Sequence, residues 1–238
     1  VAHAWPLSES AFSSYDDQLG YRPYQALIDD VKSKGGLVFW SLSETRDFHE
    51  IDAGPLGIVT AKTEPHPEAM VMTTGYTGFG GLYQDGRASV KPGELWDRLL
   101  QSPVAEQRPT PVLIGELAFH GLSDAGKDLH RLVTVLWVKE RTTAAVLEAL
   151  RSGHSYAVAD GDHDVQLRLD EFRVVCQGGA KSASIGDRLD PGAARDLTIL
   201  LSVAARDDGR HPVKVRVIRS GQVLVQLAGE TPFRVNWP

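Results

Sequence analysis

The chain has 238 residues, 42% apolar and 24% charged, with a formal net charge of -6, a makeup that fits one large globular domain or two smaller ones. The excess of 31 acidic over 25 basic residues, with no Lys/Arg-rich stretch, excludes a nucleic-acid footprint, and no apolar run of about 18 residues is present to form a membrane span. The single cysteine, Cys176, excludes an internal disulfide, and its neighbours Phe172, Val174 and Val175 make it a packed thiol.

Tyr21 to Lys34 carries Tyr24, Leu27, Ile28 and Val31 at helical spacing, with Pro23 in the first turn and Gly35 as the stop. Gly35-Gly36-Leu37-Val38-Phe39-Trp40 then reads as a strand buried on both faces, leaving through Ser41 and Leu42. The carboxyl end of such a strand is where α/β proteins mount ligand-binding groups, yet Leu42 stands there. Asp47, His49 and Glu50 follow in an expected solvated loop, and Ala69 to Thr73 is expected to form a short strand. Gly75-Tyr76-Thr77-Gly78-Phe79-Gly80-Gly81 lacks the lysine and hydroxyl of a Walker A loop and reads as a flexible loop, whose Tyr76, Phe79 and nearby Tyr83 are available for ligand contact. A helix is expected from Pro92 through Leu100, and strands over Val112 to Leu117 and Leu132 to Val138. Thr142 or Thr143 caps a helix through Arg151, stopped by Gly153 before the strand Ser155 to Val158.

After residue 160 the pattern turns twofold. Val165 to Leu169, Leu197 to Val203, Val213 to Ile218 and Val223 to Leu227 read as strands, with Ser220-Gly221 as a hairpin turn. The expected architecture is therefore α/β over residues 1–160 and an antiparallel, sandwich-like β module over 161–238. Asp160, Asp162 and Asp164, with Glu171 at the twelfth place, mimic a calcium loop, but Val165 occupies the position that needs glycine. No Gly-x-Ser-x-Gly elbow supports a serine hydrolase.

The run LVTVLWVKERTTAAVLEALRSGHSYAVAD, from Leu132 to Asp160, resembles the end of the polymerase-and-histidinol-phosphatase (PHP) barrel in its CehA/McbA-like branch. GGLVFW, ELWDRLL and the closing VKVRVIRSGQVLVQLAGETPFRVNW are similar to the same branch, in the same order. The resemblance implies a distorted or partial β/α barrel whose strand ends hold divalent metals that activate water for phosphoester hydrolysis. It also implies erosion. The family's opening His-x-His and Asp-His elements have no counterpart, the match starting near Val1; Leu42 takes the place of a ligand histidine, and Ala118 that of an aspartate. Val71 or Met72 falls where a glutamate commonly sits. His120 matches a ligand position and His3 is a second candidate, with Glu116 and Asp124 as auxiliary carboxylates.

The expectation is thus a PHP-type homologue that binds a small molecule, a glycan or a partner without catalysis and without a resident cofactor. The alternative is an active metal-dependent hydrolase in which His3 and His120, with further ligands upstream of Val1 or unrecognised in this chain, hold Zn, Mn or Fe. A third reading is carbohydrate or protein recognition by the C-terminal β module alone. No signal-peptide pattern opens the chain, and an exported location is the expectation if an upstream signal is removed.

Overall fold

The computed structural model describes residues 20–41, 47–52, 54–63, 67–83, 87–102, 110–117, 129–160, 165–176, 181–190, 192 and 196–238. The fold is mixed α/β, with several antiparallel sheets, and no sheet among the described residues closes into a barrel. Two compact units divide the chain, residues 1–111 and 112–238. This division does not coincide with the expected boundary at residue 160.

In the first unit, α1 (Arg22–Ser33) forms where the helical spacing places it and buries Ile28. Gln25 fastens it to the chain ahead: its amide nitrogen donates to Thr74 O at 3.0 Å, and its oxygen accepts from Thr74 N–H at 2.9 Å. The apolar run that follows is shorter as a strand, and less buried, than its sequence implies. Only β1 (Phe39–Trp40) pairs, parallel to β4 (Gly78–Tyr83), with Phe39 opposite Gly78 and Trp40 opposite Phe79. Val38 N–H is taken by the Thr77 hydroxyl at 3.1 Å, so a side chain ends the ladder, and residues 37 to 40 are half-buried.

Three further expectations in this unit are corrected. Asp47, His49 and Glu50 lie on β2 (Asp47–Asp52), antiparallel to β3 (Ile58–Thr63), and not in a loop. Ala69 to Met72 is helical, within α2 (Pro67–Met72): Pro67 opens the turn, Glu68 occupies the first turn, and Ala and Met favour helix more than strand. The glycine-rich stretch is not a flexible loop, since Gly78 to Gly81 form the buried part of β4. Phe79 is 0% exposed and packs against Trp96 at 5.6 Å, while Tyr76 is 3% exposed and donates to Met70 O. Neither aromatic is presented to a ligand.

The expected helix from Pro92 starts late, as α3 (Leu95–Gln101), because Pro92 and Gly93 make a turn with Gly93 at φ 83°. Asp97, 5% exposed, accepts from Gly93 N–H at 2.7 Å and ties that turn to the helix start.

In the second unit, β5 (Val112–Glu116) lies beside the antiparallel pair β6 (Leu132–Leu136) and β7 (Ser155–Ala159). Between the paired strands runs α4 (Thr143–Ser152), with the cap and stop its sequence specifies: the Thr142 hydroxyl accepts from Ala145 N–H at 3.2 Å, and Gly153 is left-handed at φ 79°.

The remaining strands form antiparallel sheets that suit a sandwich. One has the order β13 (Phe233–Trp237), β10 (Leu197–Ala205), β8 (Leu167–Cys176), β9 (Ser182–Ser184); the other is the hairpin of β11 (Pro212–Arg219) and β12 (Gln222–Glu230). Along β8 the apolar positions change phase, from Leu167 and Leu169 to Phe172, Val174 and Cys176. A bulge that leaves Asp170 without a register partner absorbs the shift. As a result all five side chains share one face with Leu197, Ile199, Leu201 and Val203 of β10 and with Phe233, Val235 and Trp237 of β13. Cys176 is 4% exposed at the end of β8.

The hairpin turns through Ser220 and Gly221 at φ 50° and 80°, the positive pair of a type I′ turn. Val213, Val215 and Val217 form its apolar face, opposite Gly229, Leu227 and Val225. A Cβ on Gly229 would lie 2.3 Å from the Phe233 ring, so the inner faces of hairpin and sheet meet there without room for a side chain.

Candidate functional site

Of the residues the family resemblance nominates, the structure describes Glu116 and the pair Val71 and Met72, which end α2. Glu116 closes β5 and is half-buried. His3, Leu42, Ala118, His120 and Asp124 lie outside the described residues. Glu116 alone is no donor set for a divalent metal, and among the described residues no three His, Cys, Asp or Glu side chains come together as one. Upstream of Leu42, the buried Trp40 Nε1 has no hydrogen-bond partner among the described residues.

The calcium-loop pattern is not assembled by its described members. The Asp160 carboxylate accepts from Gln166 Nε2 at 2.6 Å, and Glu171 sits within β8 opposite Ser202; Asp162 and Asp164 lie outside the described residues. Gln166 is instead the centre of a polar junction. Its side-chain nitrogen also donates to His130 O, and its oxygen accepts from Arg206 Nη1 at 2.7 Å.

Two histidine–carboxylate pairs stand elsewhere in the second unit. His154 Nε2 lies 2.9 Å from Asp187 Oδ1, and His211 Nε2 lies 2.9 Å from Asp207 Oδ2. Both aspartates are held below the usual carboxylate range, first by a backbone N–H and then by the imidazole: Ser184 and His154 for Asp187, Gly209 and His211 for Asp207. These bonds tie down the turns after β9 and β10.

An open groove of about 400 Å³ lies in the second unit. Its floor is the apolar face of β8 and β10, through Leu167, Leu169, Leu201 and Val203. Its sides are consecutive residues, 156 to 159 of β7 and 213 to 216 of β11. Successive strand side chains point to opposite faces, so a wall of consecutive residues is a strand presented edge-on. Tyr156 crosses from β7 to the floor, where its phenol oxygen accepts from Leu169 N–H at 3.1 Å, and its ring meets Trp137 edge-on at 6.3 Å. Chemically the groove offers apolar surface, one phenol, the backbone of an edge strand, and the basic residues Lys214 and Arg216 along one side.

The groove was not foreseen from the sequence. The available signal was the phase change along β8, which fixes which leucines share the floor. No protein-family model, no curated protein and no solved structure matches the chain.

Proposed function

We propose that the chain is a PHP-type hydrolase homologue with a degenerate metal site that acts by binding, through a groove formed by its C-terminal β strands and β7, and not by catalysis. The observation that carries this reading is the open apolar groove over β8 and β10, which has the size of a ligand site and supplies no nucleophile, paired carboxylates or metal donors. The resemblance adds that Leu42 and Ala118 replace two ligands a metal-activated water requires. Of the ligand classes considered, the groove favours an apolar or peptide ligand over a glycan. Sugars are bound by aromatic platforms and dense hydrogen-bonding side chains, whereas Tyr156 is the one aromatic in this lining.

Metal analysis and phosphodiesterase assay on one preparation test the proposal, together with binding of the apolar dye anilinonaphthalene sulfonate. Saturable dye binding weakened by Leu201→Glu supports it. A stoichiometric transition metal accompanied by turnover overturns it, as does dye binding indifferent to Leu201→Glu.

The second reading, an active hydrolase with its metal held by His3, His120 and further ligands, draws on the place of Glu116 at the carboxyl end of β5, just ahead of residues 118 to 120. Loss of bound metal and turnover on His120→Ala is its specific signature.

A further inference from the structure

We infer that the groove is a strand-addition site: an extended segment of a partner protein, alternating apolar and acidic residues, pairs with the free edge of β11. This deepens the binding reading above and rests on it.

Among the described residues β11 pairs with β12 and with no other strand. Among those residues its opposite edge therefore carries main-chain N–H and C=O groups without a ladder partner, and residues 213 to 216 line the groove, Val213 at 5% exposure and Lys214 to Arg216 more open. An edge strand of this kind is a template for another chain, in which main-chain bonds give affinity and side-chain alternation gives specificity. β11 supplies such an alternation. Val213 and Val215 face inward, whereas Lys214 and Arg216 are exposed on the outer face.

An added strand must match that pattern on both faces. Its residues beside Val213 and Val215 lie over Leu201 and Val203 and are apolar; those beside Lys214 and Arg216 are outward and acidic, since opposite charges favour cross-strand neighbours. Neither Lys214 nor Arg216 forms an ion pair with a carboxylate among the described residues, so both charges are available to a partner. The same charges argue against a second copy of this chain. Two β11 strands paired edge to edge about a twofold axis would set Lys214 and Arg216 against their own kind, which opposes pairing. A free fatty acid could satisfy the apolar floor and the positive charge but would leave the strand edge unpaired.

The test uses the full chain and a synthetic eight-residue peptide of alternating valine and glutamate, with a valine/lysine peptide of the same length as its counterpart. The valine/glutamate peptide binds, slows amide hydrogen exchange at residues 213 to 217, and weakens at least tenfold with Lys214→Glu/Arg216→Glu. That variant alters exposed side chains alone, so an unchanged melting temperature shows it is folded. Equal binding of the valine/lysine peptide, binding without protection of β11, or protection of β11 by self-association without peptide overturns the inference. If neither peptide binds while the dye still responds to Leu201→Glu, strand addition fails and the groove stands as a site for another apolar ligand. If the dye response is lost as well, both fail.

Discussion

Tyr156 and Leu169 are joined by a hydrogen bond of 3.1 Å from the Leu169 N–H to the phenol oxygen, linking β7 to β8 one residue before the bulge at Asp170. A bulge interrupts the ladder and leaves a main-chain group to be satisfied elsewhere, and a side chain from another strand does so here. Tyr156→Phe keeps the ring and removes the acceptor. Leaving a partly buried N–H unpaired costs about 1–3 kcal/mol, so urea denaturation of the variant shows that loss with an unchanged m-value. A cost below about 0.5 kcal/mol would mean that the N–H finds water and the bond is incidental.

Gly186 and Gly153 differ in what a methyl group would meet, though both have positive φ, 80° and 79°. A Cβ on Gly153 meets Val112 at 3.5 Å and Gly186 Cα at 3.6 Å, ordinary contacts, whereas one on Gly186 lies 2.6 Å from the Gly153 backbone. Gly153→Ala therefore costs the left-handed backbone penalty of about 1–2 kcal/mol. Gly186→Ala adds a backbone clash worth about 1–3 kcal/mol more. Equal losses in thermal denaturation would show that the two turns relax apart at no cost.

The contrast between these glycines and the stretch around Gly80 bears on how far the sequence can be read. Gly153 follows a capped amphipathic helix and Gly221 closes a hairpin, so local chemistry alone specifies their conformations. Gly78 to Gly81 look like a loop by the same local rules, and their strand is decided by distant contacts: pairing with Phe39 and Trp40, and the Phe79 ring against Trp96. Ala69 to Met72 fails for another reason, as a short apolar run has no period long enough to separate strand from helix. The bulge at Asp170 was legible in the phase change along β8, though not its consequence, a groove floor that exists only once β10 lies alongside. Of the metal-site candidates, Glu116 falls where the strand pattern puts it, and the others lie outside the described residues.

Gln166, 8% exposed, makes three side-chain hydrogen bonds, to Asp160, to His130 O and from Arg206. Methionine matches its length without its polar atoms, so Gln166→Met strands a carboxylate, a carbonyl and a guanidinium group at once. The expected loss is about 1–2 kcal/mol, because Gln166 is buried but His130 and Arg206 are exposed and Asp160 is half-buried, so water takes up part of the lost bonding. Arg206→Met in the same background measures the coupling. The double variant loses less than the two single losses combined, because the interaction is already gone; strict additivity would show that the junction does not act as a unit.

Asp187 gives the acid limb of the stability profile a definite sign. Its folded pKa lies below the ordinary carboxylate value, chiefly through the Ser184 N–H at 2.9 Å and next through His154. The unfolded chain therefore binds protons first as pH falls. The stabilisation is complete above the unfolded value of about 3.9 and is lost as pH drops through the lower, folded one. Asp187→Asn removes that titration, so the melting-temperature advantage of the unmodified chain over the variant holds down to about pH 5 and shrinks below about pH 4. Because the first cause is a short-range hydrogen bond, raising the salt screens only the lesser contribution from His154, and most of the difference at pH 5 survives in about 0.5 M NaCl. An advantage that grows below pH 4 would reverse the sign of the shift, and one abolished by salt would make His154 its main cause.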